Sequence, residues 1–144
     1  MSEPSKALGI LRSFGAVLAA IVFIVFTSTF MDMVMHGFGV FPKTIGMNHW
    51  QSSIAFSYRI VIGVIGSYLA ATLARDGRML HALIPGIIGT VVCTIGAAFT
   101  LGQEQVFGPA WYPIALAVTA LPCAWLGGMI QRVTSAPGFP PQAH

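Results

Sequence analysis

Four apolar runs, each close to the length that crosses a bilayer, take up most of this 144-residue chain. They extend roughly from Leu11 to Phe30, Ile54 to Leu73, Leu80 to Leu101 and Pro113 to Ile130. A spanning helix needs about 20 predominantly apolar residues, so each run predicts a transmembrane helix. Composition closes off the soluble alternative, because 56% apolar and 8% charged residues would leave a soluble domain without a hydrated surface. The expected class is an all-α membrane protein with four transmembrane helices arranged as two tandem hairpins. Residues 1–9 read as a tail, 10–132 as a single four-helix domain and 133–144 as a second tail, both tails being rich in Ser, Pro or Gln.

The net charge of +3 is small, and its basic residues are too scattered for a nucleic-acid footprint. Their positions say more than their sum. Lys6 and Arg12 precede the first run, Arg75 and Arg78 lie in the break between the second and third, and Arg132 follows the fourth. All five fall on one side, against Lys43, Arg59 and Glu104 towards the other. The positive-inside rule therefore places the N- and C-termini in the cytoplasm. The first run is too long for the apolar core of a signal peptide and continues into Thr27, Ser28, Thr29 and Phe30 without a small-residue cleavage site, so a retained helix is expected.

The two hairpins are joined by the tight turn from Ala74 to Arg78. Each carries a longer outer loop, Gly37 to Gln51 with Phe41-Pro42 and Gly102 to Tyr112 with Phe107-Gly108-Pro109. At the outer end of the first run, Ser28, Asp32 and His36 are spaced to share one helix face. Tyr58 and Arg59 stand at similar depth on the second. Ionisable groups in spanning segments usually face the bundle interior and pair with one another, so Asp32 and Arg59 are expected to form an ion pair. Asp32, His36, Tyr58 and Arg59 thus make the candidate polar cluster. It either fixes the packing of the first two helices or lines a path for protons or a small solute.

The histidines carry a weak metal signal: His36 and His49 lie on the outer side, yet no compact ligand spacing accompanies them. Cys93 and Cys123 fall at middle depth, where a small apolar thiol is the ordinary reading. Neither a metal site nor a cofactor of its own is expected. His81 reads as a cap at the cytoplasmic end of the third helix, near Pro85.

Small residues in the third helix, Gly86, Gly89 and Gly96, together with Gly63 and Ser67 in the second, predict close helix packing, since lipid provides no hydrophobic drive for association. Pro122 interrupts the fourth helix, and Gly127-Gly128 is expected to loosen its cytoplasmic half. Trp50, Trp111 and Tyr112 predict anchors at the outer headgroup level.

Taken together, Met35-His36-Gly37-Phe38-Gly39-Val40-Phe41-Pro42, Ser57-Tyr58-Arg59, Met79-Leu80-His81-Ala82, Gly108-Pro109-Ala110-Trp111-Tyr112-Pro113 and Leu121-Pro122-Cys123-Ala124-Trp125-Leu126-Gly127-Gly128 carry a resemblance. Over residues 10–130 the chain resembles small four-helix bacterial inner-membrane proteins of unknown function. The resemblance implies a multi-pass protein of the bacterial cytoplasmic membrane and brings no catalytic residues. No nucleophile with its base, paired carboxylates or metal triad stands out, so an enzyme is not expected. The expected function is a non-catalytic accessory or assembly subunit of a larger membrane complex, such as an energy-converting one, its partners the lipid bilayer and other membrane-protein subunits. The alternative is a small homo-oligomeric transporter or channel that uses the outer polar cluster.

Overall fold

The computed structural model describes residues 3–136 apart from 44 and 75. Arg75, one of the charges used to orient the chain, and the segment 137–144 lie outside the described residues. Among those described there is no strand. The helices are α1 (Glu3–Gly37), α2 (His49–Leu73), α3 (Arg78–Thr100), the single turn α4 (Glu104–Phe107) and α5 (Trp111–Thr134). Four of them, all but α4, are long and apolar enough to cross a membrane, which suggests a multi-pass membrane protein.

The helices overrun the apolar runs at several ends. α1 begins at Glu3, inside the segment expected to be a tail, because Lys6, Ala7, Leu8, Ile10 and Leu11 are ready helix formers with no breaker but Gly9 among them. Its 35 residues measure about 52 Å at 1.5 Å per residue, well beyond the roughly 30 Å of a hydrocarbon core. α2 starts five residues ahead of its apolar run, and the cause is local. Asn48 and Gln51 form a reciprocal capping box, each side chain accepting from the other's backbone N–H at 2.9 Å.

Successive long helices run antiparallel. The α1–α2 loop meets α4 at one end, where Gly46 N–H donates to the Gln105 carbonyl at 3.1 Å. We call this the loop end. The opposite, turn end holds the α2–α3 turn, the start of α1 and the finish of α5. The two expected hairpins are present in chain order, but packing does not respect them: α5 lies against both α2 and α3, making the most extensive contacts in the bundle, while α1 rests mainly on α2 and touches α3 along one edge.

The interior is built from small side chains. Its buried apolar residues are mostly alanines, among them Ala16, Ala20, Ala70, Ala71, Ala82 and Ala124, and the largest fully buried side chain is Ser52. Large residues such as Phe14, Phe26, Ile65, Val92, Phe99 and Trp125 point outwards. This inversion of the soluble pattern is the arrangement a lipid surround favours, since apolar side chains gain nothing by hiding from lipid and backbones gain dispersion energy by approaching closely.

The closest approaches between the long helices lie towards the turn end. A Cβ on Gly127 would stand 2.5 Å from the Val64 carbonyl oxygen and 2.8 Å from the Tyr68 nitrogen on α2. One on Gly128 would stand 3.0 Å from Ala82 Cβ on α3. Adjacent helix positions point about 100° apart, so the glycine pair serves two neighbours at once. The expectation that it loosens α5 is therefore replaced by the opposite. Gly86 faces α5, where an added Cβ would collide with Ala124 and come within 3.1 Å of the Ala120 carbonyl. Gly89 meets the Ala120 methyl at an ordinary 3.6 Å, and Gly63 meets Cys123 at 3.8 Å. Ser67, 2% exposed, faces Gly127. On α3, Gly86 and Gly89 thus serve the contact with α5. Gly96 departs from the expected close packing: a Cβ there would have nothing within 4 Å, because α3 and α5 separate around a cavity at that level.

Candidate functional site

The loop end is held by a polar network instead. α1 presents Asp32, α2 the neighbours Tyr58 and Arg59, and α5 presents Tyr112 in its first turn. The Tyr58 hydroxyl donates to Asp32 Oδ1, and Arg59 Nη2 donates to Asp32 Oδ2 at 2.5 Å. Arg59 Nη1 donates to the Tyr112 hydroxyl at 2.6 Å, with the guanidinium carbon 5.7 Å from the Tyr112 ring centre. One guanidinium therefore joins three helices. The carboxylate has a donor on each oxygen, and the two formal charges cancel.

Arg59 and Asp32 side chains remain 29% and 30% exposed. That intermediate setting decides the energy scale. A fully buried pair that loses one partner costs 3–5 kcal/mol, whereas exposed pairs contribute 0–1; polar contacts inside membrane bundles average roughly 0.6 kcal/mol. A net contribution of about 1–2 kcal/mol fits this network.

An apolar layer covers the network. Phe41, 2% exposed, folds back from the α1–α2 loop onto Ala55 and Tyr112, with Met35, Val40 and Met47 packed around them. The loop is held there by Gln51, whose Nε2 donates to the Val40 carbonyl at 2.6 Å, and by Val40 and Phe41 N–H groups that donate to the Met35 carbonyl. Gly46 and Gly108 pass so closely that a Cβ on Gly46 would lie 2.6 Å from the Gly108 nitrogen.

Of the four residues expected to cluster, Asp32, Tyr58 and Arg59 are brought together. His36 stays at the edge: its Nδ1 lies 2.7 Å from the main-chain carbonyl of Asp32, and its ring packs edge-on against Phe41 at 5.5 Å. One turn of helix puts a side chain at i+4 over the carbonyl of residue i, so His36 meets the backbone of Asp32 rather than its carboxylate. Tyr112, expected as an interfacial anchor, is 8% exposed and belongs to the network. Its neighbour Trp111 donates from Nε1 to His49 Nδ1 at 3.0 Å and stacks edge-on with Phe56 and Tyr112. Trp50 is 73% exposed, open to an interface.

Beside Arg59 and Tyr112 a cavity of about 330 Å³ opens between α3 and α5, with Cys93, Gly96 and Leu116 in its wall. Among the described residues, no group of three or more His, Cys, Asp or Glu side chains is placed to hold a metal ion. Chemically, the loop end is a charge-neutral clasp across α1, α2 and α5. Comparison of the chain with protein-family models, curated proteins and solved structures finds no match.

Proposed function

We propose that the chain is a multi-pass protein of the bacterial cytoplasmic membrane, its termini inside, and acts as a non-catalytic accessory or assembly subunit of a larger membrane complex. The observation that carries this reading is the free flank of α1. Gly15 and Ala19, one turn apart, are exposed on it, and nothing lies within 4 Å of a Cβ placed on Gly15. A small-xxx-small pair lets another helix approach backbone to backbone, and here no helix of this chain uses it. Phe14, Leu18, Val22 and Phe26 flank the pair and are 47–70% exposed. A partner helix seated there would bury them.

The orientation is supported by the basic bias of the turn end, where Arg12, Arg78 and Arg132 lie. The absence of a cofactor of its own belongs to the same proposal. Transport through the loop end is the weaker reading, because Asp32 has both oxygens engaged within the bundle and His36 is tied to a backbone carbonyl.

Gentle solubilisation of the untagged protein from its native membrane, followed by native electrophoresis and mass spectrometry, tests the proposal. Co-migration with other subunits at fixed stoichiometry is expected, and Gly15→Leu is expected to release the chain from them. Recovery as a homo-oligomer that conducts solute in liposomes overturns the reading in favour of transport.

A further inference from the structure

At the turn end, the first turn of α3 and the last turn of α5 border a polar pocket of about 600 Å³. Arg78, Arg132 and Asp76 all stand in its wall. Gly77, at φ 60°, precedes α3 without a side-chain cap, so the first N–H groups of the helix, on Arg78, Met79 and Leu80, begin at this pocket without side-chain partners. The wall also includes Gln131, which is 2% exposed. Its Nε2 donates to Ser135 Oγ at 2.8 Å, while its buried Oε1 has no partner. Buried amide groups are seldom left so, and Gln131 is among the residues that line the pocket.

One residue further along α3, at His81, a second hollow begins. It runs between α1 and α3, measures about 380 Å³ and is almost wholly apolar, with Phe14, Val17, Ile84 and Ile88 in its wall. Two guanidiniums, Arg78 on α3 and Arg132 on α5, thus border one hollow, and an apolar groove between α1 and α3 begins at the next residue of α3.

We propose that the turn end binds a glycerophospholipid whose head is an anionic phosphodiester bearing hydroxyl groups. Arg78, Arg132 and the positive end of α3 take the phosphate, head-group hydroxyls donate to Gln131 and Asp76, and an acyl chain lies in the groove beside Ile84 and Ile88. Basic pockets between helices at the membrane face suit acidic lipid heads. A choline head has no donor for Gln131 or Asp76. Inorganic phosphate fills the upper pocket alone and leaves the groove empty.

The inference rests on the four long helices being membrane spans, so resistance to alkaline carbonate extraction is measured first. A chain released by carbonate overturns that reading and this site together, whereas an inserted chain without lipid preference overturns the site alone. The test is native mass spectrometry of the detergent-purified full chain with added phosphatidylglycerol, phosphatidylcholine or inorganic phosphate. One phosphatidylglycerol is expected to bind roughly 30-fold more tightly to the wild type than to Arg78→Gln/Arg132→Gln. Arg78→Lys/Arg132→Lys is expected to keep most of the affinity. Ile84→Trp, which fills the groove and leaves both arginines, is expected to weaken lipid binding and provides a reading if the glutamine pair fails to fold. Equal retention of the two lipids by the wild type, or undiminished binding in the variants, overturns the proposal. Displacement of the lipid by millimolar inorganic phosphate overturns it in favour of a soluble phosphate ligand.

Discussion

The two ends of this bundle are held by different physics. At the turn end, Gly127, Gly128 and Gly86 bring backbone against backbone, and cohesion comes from many small dispersion contacts rather than from an ion pair. At the loop end the helices stand further apart, leave a cavity beside Gly96, and are joined by one guanidinium that reaches Asp32 on α1 and Tyr112 on α5. Close packing tolerates no added volume, whereas a hydrogen-bonded clasp tolerates volume but not the loss of a donor. The ends should therefore fail under different substitutions.

The largest effect is expected for Gly127→Leu. Its side chain would have to pass through the backbone of α2 at Val64 and Tyr68, and overpacking against rigid atoms costs about 3 kcal/mol or more. Unfolding by SDS titration in bicelles measures it, and a variant as stable as the wild type would break the account of the turn end. Next comes Arg59→Gln, which leaves the Asp32 carboxylate without its countercharge. A loss of about 1–2 kcal/mol is expected by the same titration. Tyr112→Phe keeps the ring among Phe41 and Ala55 but removes the acceptor for Arg59 Nη1, so thermal unfolding followed by circular dichroism should register a loss of about 0.5–1 kcal/mol. The smallest change belongs to Gly96→Ala. With open space around the new methyl, stability should stay within about 0.5 kcal/mol of the wild type or rise slightly through better helix propensity. A loss comparable to that of Gly127→Leu would erase the distinction between the ends.

The number and order of the helices long and apolar enough to span a membrane were legible in the sequence, because runs of 18 or more apolar residues have few other uses; their full lengths were not, α1 running to 35 residues. The Asp32–Arg59 pairing was legible too, from the cost of leaving a charge alone at that depth. Tyr112 was harder to place. A tyrosine beside a tryptophan at a helix start has the pattern of an interfacial anchor, and only the approach of α5 to α2 turns its hydroxyl towards Arg59. The capping box at Asn48 and Gln51 was written in the chain but masked by the search for apolar runs, which sets a helix boundary by hydropathy rather than by hydrogen bonds. Which stripe meets which helix was not legible. Gly86 on α3 and Gly127 on α5 carry the same small-residue signal, and their partners follow from the three-dimensional crossing of α5 over α2 and α3.

The central claim is that Asp32 and Arg59 form a clasp that holds helices together, not a station on a path. A double-mutant cycle with Asp32→Asn, Arg59→Gln and their combination, read by SDS titration alongside flux in liposomes, tests it most directly. The account predicts a coupling of about 1–2 kcal/mol, each single variant costing nearly as much as the pair. Additive losses in stability, or full stability accompanied by loss of a proton-linked flux, would contradict it.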